Sequence, residues 1–262
     1  MVSQPSASLT RLLRCSTIIA SMPDRSFPLG PSRPGSSFVN AATDHGRPSG
    51  RRALLRFLAA CATGASLPGL GRADPAAAAA GRTLLVLGDS LSAEYGLRRG
   101  SGWVELLSRR LSGRRPPWQV VNASISGETT AGGRTRIAAL LERHRPAVVV
   151  IELGGNDALR GLDLGATEAN LAAMTRAARQ AGARVLLLGM QVPPNYGRPY
   201  TDAFAALFRN VAEREKASLL PFFLDGVADR PELFQPDRIH PNESAQARML
   251  ENVWPALRPL LG

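Results

Sequence analysis

Ser90, Asp237 and His240 are residues that could activate one another. A serine hydroxyl is a weak nucleophile until a base within hydrogen-bond reach takes its proton, and that base must be held in one tautomer by a third group. Residues 83–262 contain two histidines, and His144 lies in LERHRP at the end of a helical pattern, where the dipole favours a cation and no chemistry is required. His240 is left as the base. Asp237, three residues earlier in DRIH, supplies the orienting carboxylate. Attack by Ser90 on a carbonyl would create an oxyanion that needs donors aimed at it. The backbone N–H groups of Ser90 and Gly127 and the side-chain amide of Asn156 are the candidates.

Each of these residues has an ordinary structural reading. Gly-Asp-Ser is a common turn, Gly127 can serve a positive-φ turn, and Asn156 can cap a helix. A lone histidine before a proline is most often a satisfied surface residue. The joint occurrence of all of them at the ends of apolar runs is what favours chemistry.

The elements that would position them alternate regularly. Short apolar runs at 83–87, 118–123, 147–153, 184–190 and 219–223 read as strands. The run AVVVIEL at 147–153 is nearly continuous, as a central strand buried on both faces requires. Between the runs, apolar residues at helical spacing predict helices over 102–111, 129–144, 168–181, 200–216 and 243–257. Such alternation predicts an α/β fold: a three-layer α/β/α sandwich of flavodoxin type on a five-stranded parallel sheet. Ligands bind such sheets outside the carboxyl ends of the strands. Gly88-Asp89-Ser90 follows strand one, Gly127 strand two, Gly154-Gly155-Asn156-Asp157 strand three, and Asp237 to His240 lies beyond strand five.

Composition narrows the function classes. The formal net charge is +11, but residues 1–82 carry ten arginines against three aspartates, while the remainder holds 22 basic against 18 acidic residues. A surplus that small, with Arg109-Arg110 and Arg114-Arg115 as its tight pairs, is no phosphate-tracking stripe, and no nucleic-acid partner is expected. Cys15 and Cys61 both fall in the first 82 residues, so the rest of the chain has no thiol for a disulfide or a thiolate metal site.

Residues 1–82 read as a disordered leader ending in an export signal at about 49–80: Arg51-Arg52, a moderately apolar run from Ala53 to about Leu70, then small residues. The order RRALLR resembles the twin-arginine signal pattern. The run is too short and too interrupted for a spanning helix, which needs about 20 apolar residues. LAAC at 58–61 also resembles a lipoprotein cleavage site. The expected location is periplasmic or secreted, the expected boundary lies near residue 83, and the protein is expected to be a monomer without stable membrane insertion.

The blocks GDSLS at 88–92, Gly127, GGND at 154–157 and DRIH at 237–240 resemble those of the GDSL, or SGNH, hydrolases over about residues 83–262. VVNASISGETT, ELGGNDALRGL, PPNYGRPY and LLPFFLDGV are similar to the branch of periplasmic thioesterase/protease/lysophospholipases and arylesterases. The resemblance implies cofactor-free hydrolysis of small-molecule acyl esters and thioesters, including aryl esters and lysophospholipids. It makes Ser90 the nucleophile, His240 the base, Asp237 its orienting group, and Ser90, Gly127 and Asn156 the oxyanion donors. It further places Asp89, Leu159, Leu162, Pro193 and Tyr196 against the substrate. Glu94 stands where the family more often has a small residue. An acetyl-sugar esterase of the same fold and a non-catalytic binding module are the alternatives.

Overall fold

The computed structural model describes Arg82–Gly262. The expected leader, its export signal and Cys15 and Cys61 lie outside the described residues.

Five strands form one parallel sheet: β1 (Arg82–Gly88), β2 (Trp118–Asn122), β3 (Val148–Glu152), β4 (Arg184–Leu188) and β5 (Ser218–Leu220), in the order β2-β1-β3-β4-β5. This is the strand order of flavodoxin-type sheets, with its switch point between β1 and β3. Those two strands are the interior of the core. Leu84 to Leu87 and Val148 to Val150 are fully buried, because helices cover both faces and leave no solvent side for polar residues to alternate onto. Burial of each such side chain contributes about 1.5–3 kcal/mol.

The helices are α1 (Trp103–Leu111), α2 (Thr130–His144), a one-turn α3 (Gly155–Leu159), α4 (Leu164–Gln180), α5 (Arg198–Glu215) and α6 (Glu243–Leu257). Four expected helices start within about two residues of the observed position, but α4 begins four residues before the expected Glu168. The Asp163 side chain accepts from the Ala166 amide at 2.6 Å and starts the helix there, ahead of its apolar stripe. The fifth strand is shorter than the expected 219–223. Pro221 has no N–H to give the ladder, and pairing resumes only where the Phe223 amide donates to the Gly189 carbonyl at 2.8 Å. No described helix is long and apolar enough to cross a membrane.

Three buried side chains lock the strand-end loops to this frame. Asp157 accepts from the Thr130 amide at 2.9 Å and from its hydroxyl at 2.5 Å, which fixes the start of α2 against the loop after β3. The Gln246 side chain of α6 accepts from the Trp103 amide at 3.0 Å, which joins the starts of α6 and α1. Ser92 receives the Trp103 indole N–H at 3.2 Å.

Candidate active site

Ser90 follows β1 in a tight turn in which the Ser92 and Ala93 amides both donate to the Asp89 carbonyl, at 3.2 and 2.9 Å. Gly88, the last residue of β1, permits that turn: a Cβ there would lie 2.8 Å from Glu152 Oε2 and 2.9 Å from the Ser92 side chain. Ser90 is thereby held at the strand tip, half-buried.

The histidine arrives from the opposite end of the chain. The segment Phe234–Pro241 closes on itself through an antiparallel bridge between those two residues, and the Gln235 amide donates to the His240 carbonyl at 2.8 Å. Arg238 at the turn has φ +57°. Inside this loop the Asp237 carboxylate accepts from the amides of Ile239 and His240, at 2.9 and 3.0 Å, and from His240 Nδ1 at 2.7 Å. Burial pulls the Asp237 pKa upward, but the two amides and the imidazole outweigh it and hold the carboxyl at about 2. An ionised Asp237 can only accept, so Nδ1 carries the proton and Nε2 presents its lone pair. Ser90 Oγ lies 2.9 Å from Nε2. The Tyr95 ring packs on the imidazole, with centroids 4.4 Å apart, and Gln235 donates to the Tyr95 carbonyl at 2.8 Å.

Gly127 turns the loop after β2 with φ +77°, a conformation that a side chain would strain. Its carbonyl accepts from the Arg160 guanidinium at 2.9 Å, which ties the loop to the residue after α3. Among the described residues, neither the Ser90 nor the Gly127 N–H meets a protein acceptor. Asn156 is the second residue of α3 and caps nothing; its Nδ2 donates one hydrogen to Asp89 Oδ2 at 3.0 Å and keeps a second. Asp89, expected against the substrate, is buried: its carboxylate accepts from Asn156 and the Leu91 amide, and its backbone N–H donates to Glu152 Oε2.

The other residues expected to touch substrate, Leu159, Leu162, Pro193 and Tyr196, are exposed. Leu159 and Leu162 flank the end of α3, and Tyr196 stacks on Tyr200, whose hydroxyl donates to the Ala158 carbonyl at 3.1 Å. Pro193 is exposed just before them. Glu94 adopts φ +59°, and its carboxylate accepts from the Gly100 and Gly102 amides, at 3.0 and 2.7 Å, as a staple across its own loop. Arg160 and Glu152 were not singled out by sequence. A glutamate inside the apolar run AVVVIEL was the available signal for Glu152, since an acid on a doubly covered strand needs a reason.

Asp89 is pushed up from the ordinary 3.8 to about 6, chiefly by burial, against the hydrogen bonds of Leu91 and Asn156 and the nearby imidazole. A carboxyl that holds its proton more tightly folded than unfolded contributes stability below the unfolded value and loses it as pH rises through the folded one. The Tm of Asp89→Asn relative to wild type should therefore climb between about pH 4 and pH 7, by roughly 5 °C. Calorimetry at both pH values checks this; a difference that stays constant with pH would contradict it.

No cluster of three or more His, Cys, Asp or Glu that could hold a metal occurs among the described residues. The arrangement can deprotonate an alcohol, hold an acyl group on it and neutralise an oxyanion.

Comparison with known proteins agrees with that chemistry. Residues 86–248 match the model of the GDSL-like lipase/acylhydrolase family. The chain is 55% identical over 183 residues to esterase TesA of Pseudomonas aeruginosa, covering 70% of this chain and 91% of that one. It is 42% identical over 184 residues to thioesterase 1/protease 1/lysophospholipase L1 of Escherichia coli K12, covering 70% and 87%. A crystal structure of TesA superposes with a TM-score of 0.67 at 55% identity, over 68% of this chain and 99% of that one. Family model, identity over most of each relative, and a parallel sheet with Ser90 at its first strand tip converge: this chain belongs to the GDSL-like lipase/acylhydrolase family.

Proposed function

We propose that the protein is a serine hydrolase that cleaves carboxylic esters and thioesters through an acyl-serine intermediate. The observation that carries the reading is His240 bridging Ser90 at 2.9 Å and Asp237 at 2.7 Å; the ionised Asp237 then selects the tautomer a general base requires. His240 takes the Ser90 proton as Oγ attacks the acyl carbon, and returns it to the leaving alcohol or thiol. Water, activated by the same imidazole, then releases the acid. The amides of Ser90, Gly127 and Asn156 receive the oxyanion in both steps.

The substrate class follows from the rim. Among the described residues, the exposed large hydrophobic side chains lie in the segments that follow the carboxyl ends of the strands or in the His240 loop: Tyr95, Ile125, Leu159, Leu162, Tyr196 and Ile239. A rim of that kind suits an acyl chain or aryl group better than a sugar. The names of the relatives above, esterase TesA and thioesterase 1/protease 1/lysophospholipase L1, support ester and thioester substrates. All the proposed catalytic groups come from one chain, which favours a monomer as the working unit. The leader supports export to the periplasm, and mass spectrometry of the native mature protein should find its first residue between about 74 and 83.

Two measurements test the reading. A substrate panel should show turnover of naphthyl acetate and palmitoyl-CoA well above that of acetylated xylan; the reverse order would favour the sugar esterase. Asn156→Ala should lower kcat by about 10²–10³-fold while leaving measurable activity, the scale of one lost oxyanion donor. Unchanged kcat would remove Asn156 from the oxyanion site.

A further inference from the structure

Glu152 ends β3 directly beneath the nucleophile turn, and it is 1% exposed. None of the catalytic steps above uses it. Its Oε2 accepts from the Asp89 amide at 3.2 Å and from the Ser92 hydroxyl at 2.8 Å. The direction of that hydroxyl is set, because its oxygen accepts the Trp103 indole N–H. The Glu152 and Asp89 carboxyls also face each other closely enough for the charge of one to raise the pKa of the other. Two carboxylates out of water cannot hold that contact, so one proton must be shared by the pair.

The surrounding donors decide which residue carries it. Both Asp89 oxygens already accept, Oδ1 from the Leu91 amide at 3.0 Å and Oδ2 from Asn156 at 3.0 Å, which favours the Asp89 anion. Glu152 engages its two donors through Oε2, which leaves Oε1 to bear a proton. The groups facing the pair are therefore Ser92 and Trp103 on one side, and Asn156 and His240 on the other. Burial holds the Glu152 carboxyl well above the usual range, and the Asp89 charge pushes it the same way.

We propose that Glu152 is a positioning residue of the oxyanion hole: as a neutral acid it donates to Asp89, and so fixes the oxygen that aims the Asn156 amide. Asn156 gives one hydrogen to Asp89, which forces its second hydrogen toward the acyl site. Without Glu152, the Asp89 carboxylate loses a partner on its buried side and can swing. The Asn156 amide is then free to turn and present its own oxygen, an acceptor, to a developing negative charge. The chain of contacts runs from β3 through β1 to α3, so the central strands of the sheet set the direction of a donor on a short surface helix.

This inference rests on the oxyanion role of Asn156. It is tested with Glu152→Gln and Glu152→Met, each alone and with Asn156→Ala, using p-nitrophenyl butyrate. Glu152→Gln keeps a donor toward Asp89 and an acceptor toward Ser92, so its kcat should stay within about threefold of wild type. Glu152→Met fills the space with no donor and should lower kcat by about 10–100-fold at little-changed KM, the scale of a displaced catalytic group. In the Asn156→Ala background the same change should cost less than about threefold, because the group it positions is gone. A merely structural role would cost the same in both backgrounds, and that result overturns the proposal. Infrared difference spectra of wild type and Glu152→Gln at neutral pH should show a protonated carboxylic acid lost in the variant. Absence of that band also overturns it, and needs no Glu152→Met protein. Failure of wild type to label at Ser90 with a fluorophosphonate would instead sink the hydrolase reading itself.

Discussion

Ser90→Ala is expected to lower kcat/KM on p-nitrophenyl butyrate by on the order of 10⁴–10⁶-fold, with no change in fold. The size follows from what is removed. Oγ, 2.9 Å from His240 Nε2, is the atom that would form the bond to the acyl carbon, and among the described residues no other hydroxyl bonds that nitrogen. The stability should barely move, because the turn is held by backbone bonds to the Asp89 carbonyl and by the Asp89 side chain on the Leu91 amide, none of which uses Oγ. The residual rate is what the oxyanion donors and the apolar rim provide to attack by water. Fluorophosphonate labelling should vanish together with turnover. Wild-type turnover in the variant would remove Ser90 as the nucleophile.

The layout of the site could be read from the sequence because parallel sheets separate structure from chemistry along the chain. Apolar runs such as LLVL and AVVVIEL are too hydrophobic to be anything but buried, so the polar residues that follow them must emerge at the same edge of the sheet. That places Ser90, Gly127 and Asn156 near one another without any knowledge of side-chain contacts. His240 and Asp237 were legible as a pair by spacing, but their approach to Ser90 depends on a loop closed by a single bridge, a positive-φ arginine and a glutamine that reaches across to Tyr95. None of these has a periodic signature.

The residues that hold the site from behind were harder to see, for a different reason. Asp89 was expected to touch substrate, whereas its carboxylate turns inward to Leu91, Asn156 and Glu152. The direction of a side chain at a strand tip is set by which buried groups need a partner, and that depends on residues as far apart as 92, 103 and 152. Arg160, which fixes the Gly127 loop through its carbonyl, looks in sequence like any exposed arginine near a helix end. The role of Glu94 is local: its carboxylate ties down Gly100 and Gly102. Burial of two acids behind the nucleophile is a cost to stability at neutral pH, of the kind active sites carry when function and stability conflict.

Asp237→Asn is the second large effect, and the change is nearly isosteric, so the loss would report protonation and not shape. In the wild type the carboxyl, held at about 2, stays ionised across the working range and accepts the Nδ1 proton. An asparagine can still take the Ile239 and His240 amides on its oxygen, so the loop should keep its form. What then faces Nδ1 is an NH₂ group, which only donates. The imidazole must answer with a lone pair at Nδ1, its proton moves to Nε2, and Nε2 can no longer accept from Ser90. The expected fall in kcat is on the order of 10⁴-fold near neutral pH, the scale found when a serine triad is locked in the wrong tautomer. Activity should recover partly at alkaline pH, where hydroxide can take the serine proton without the imidazole. A variant that keeps more than about a tenth of wild-type kcat at neutral pH would mean that His240 finds its tautomer without Asp237, and that the carboxylate 2.7 Å from Nδ1 serves only to shape the loop.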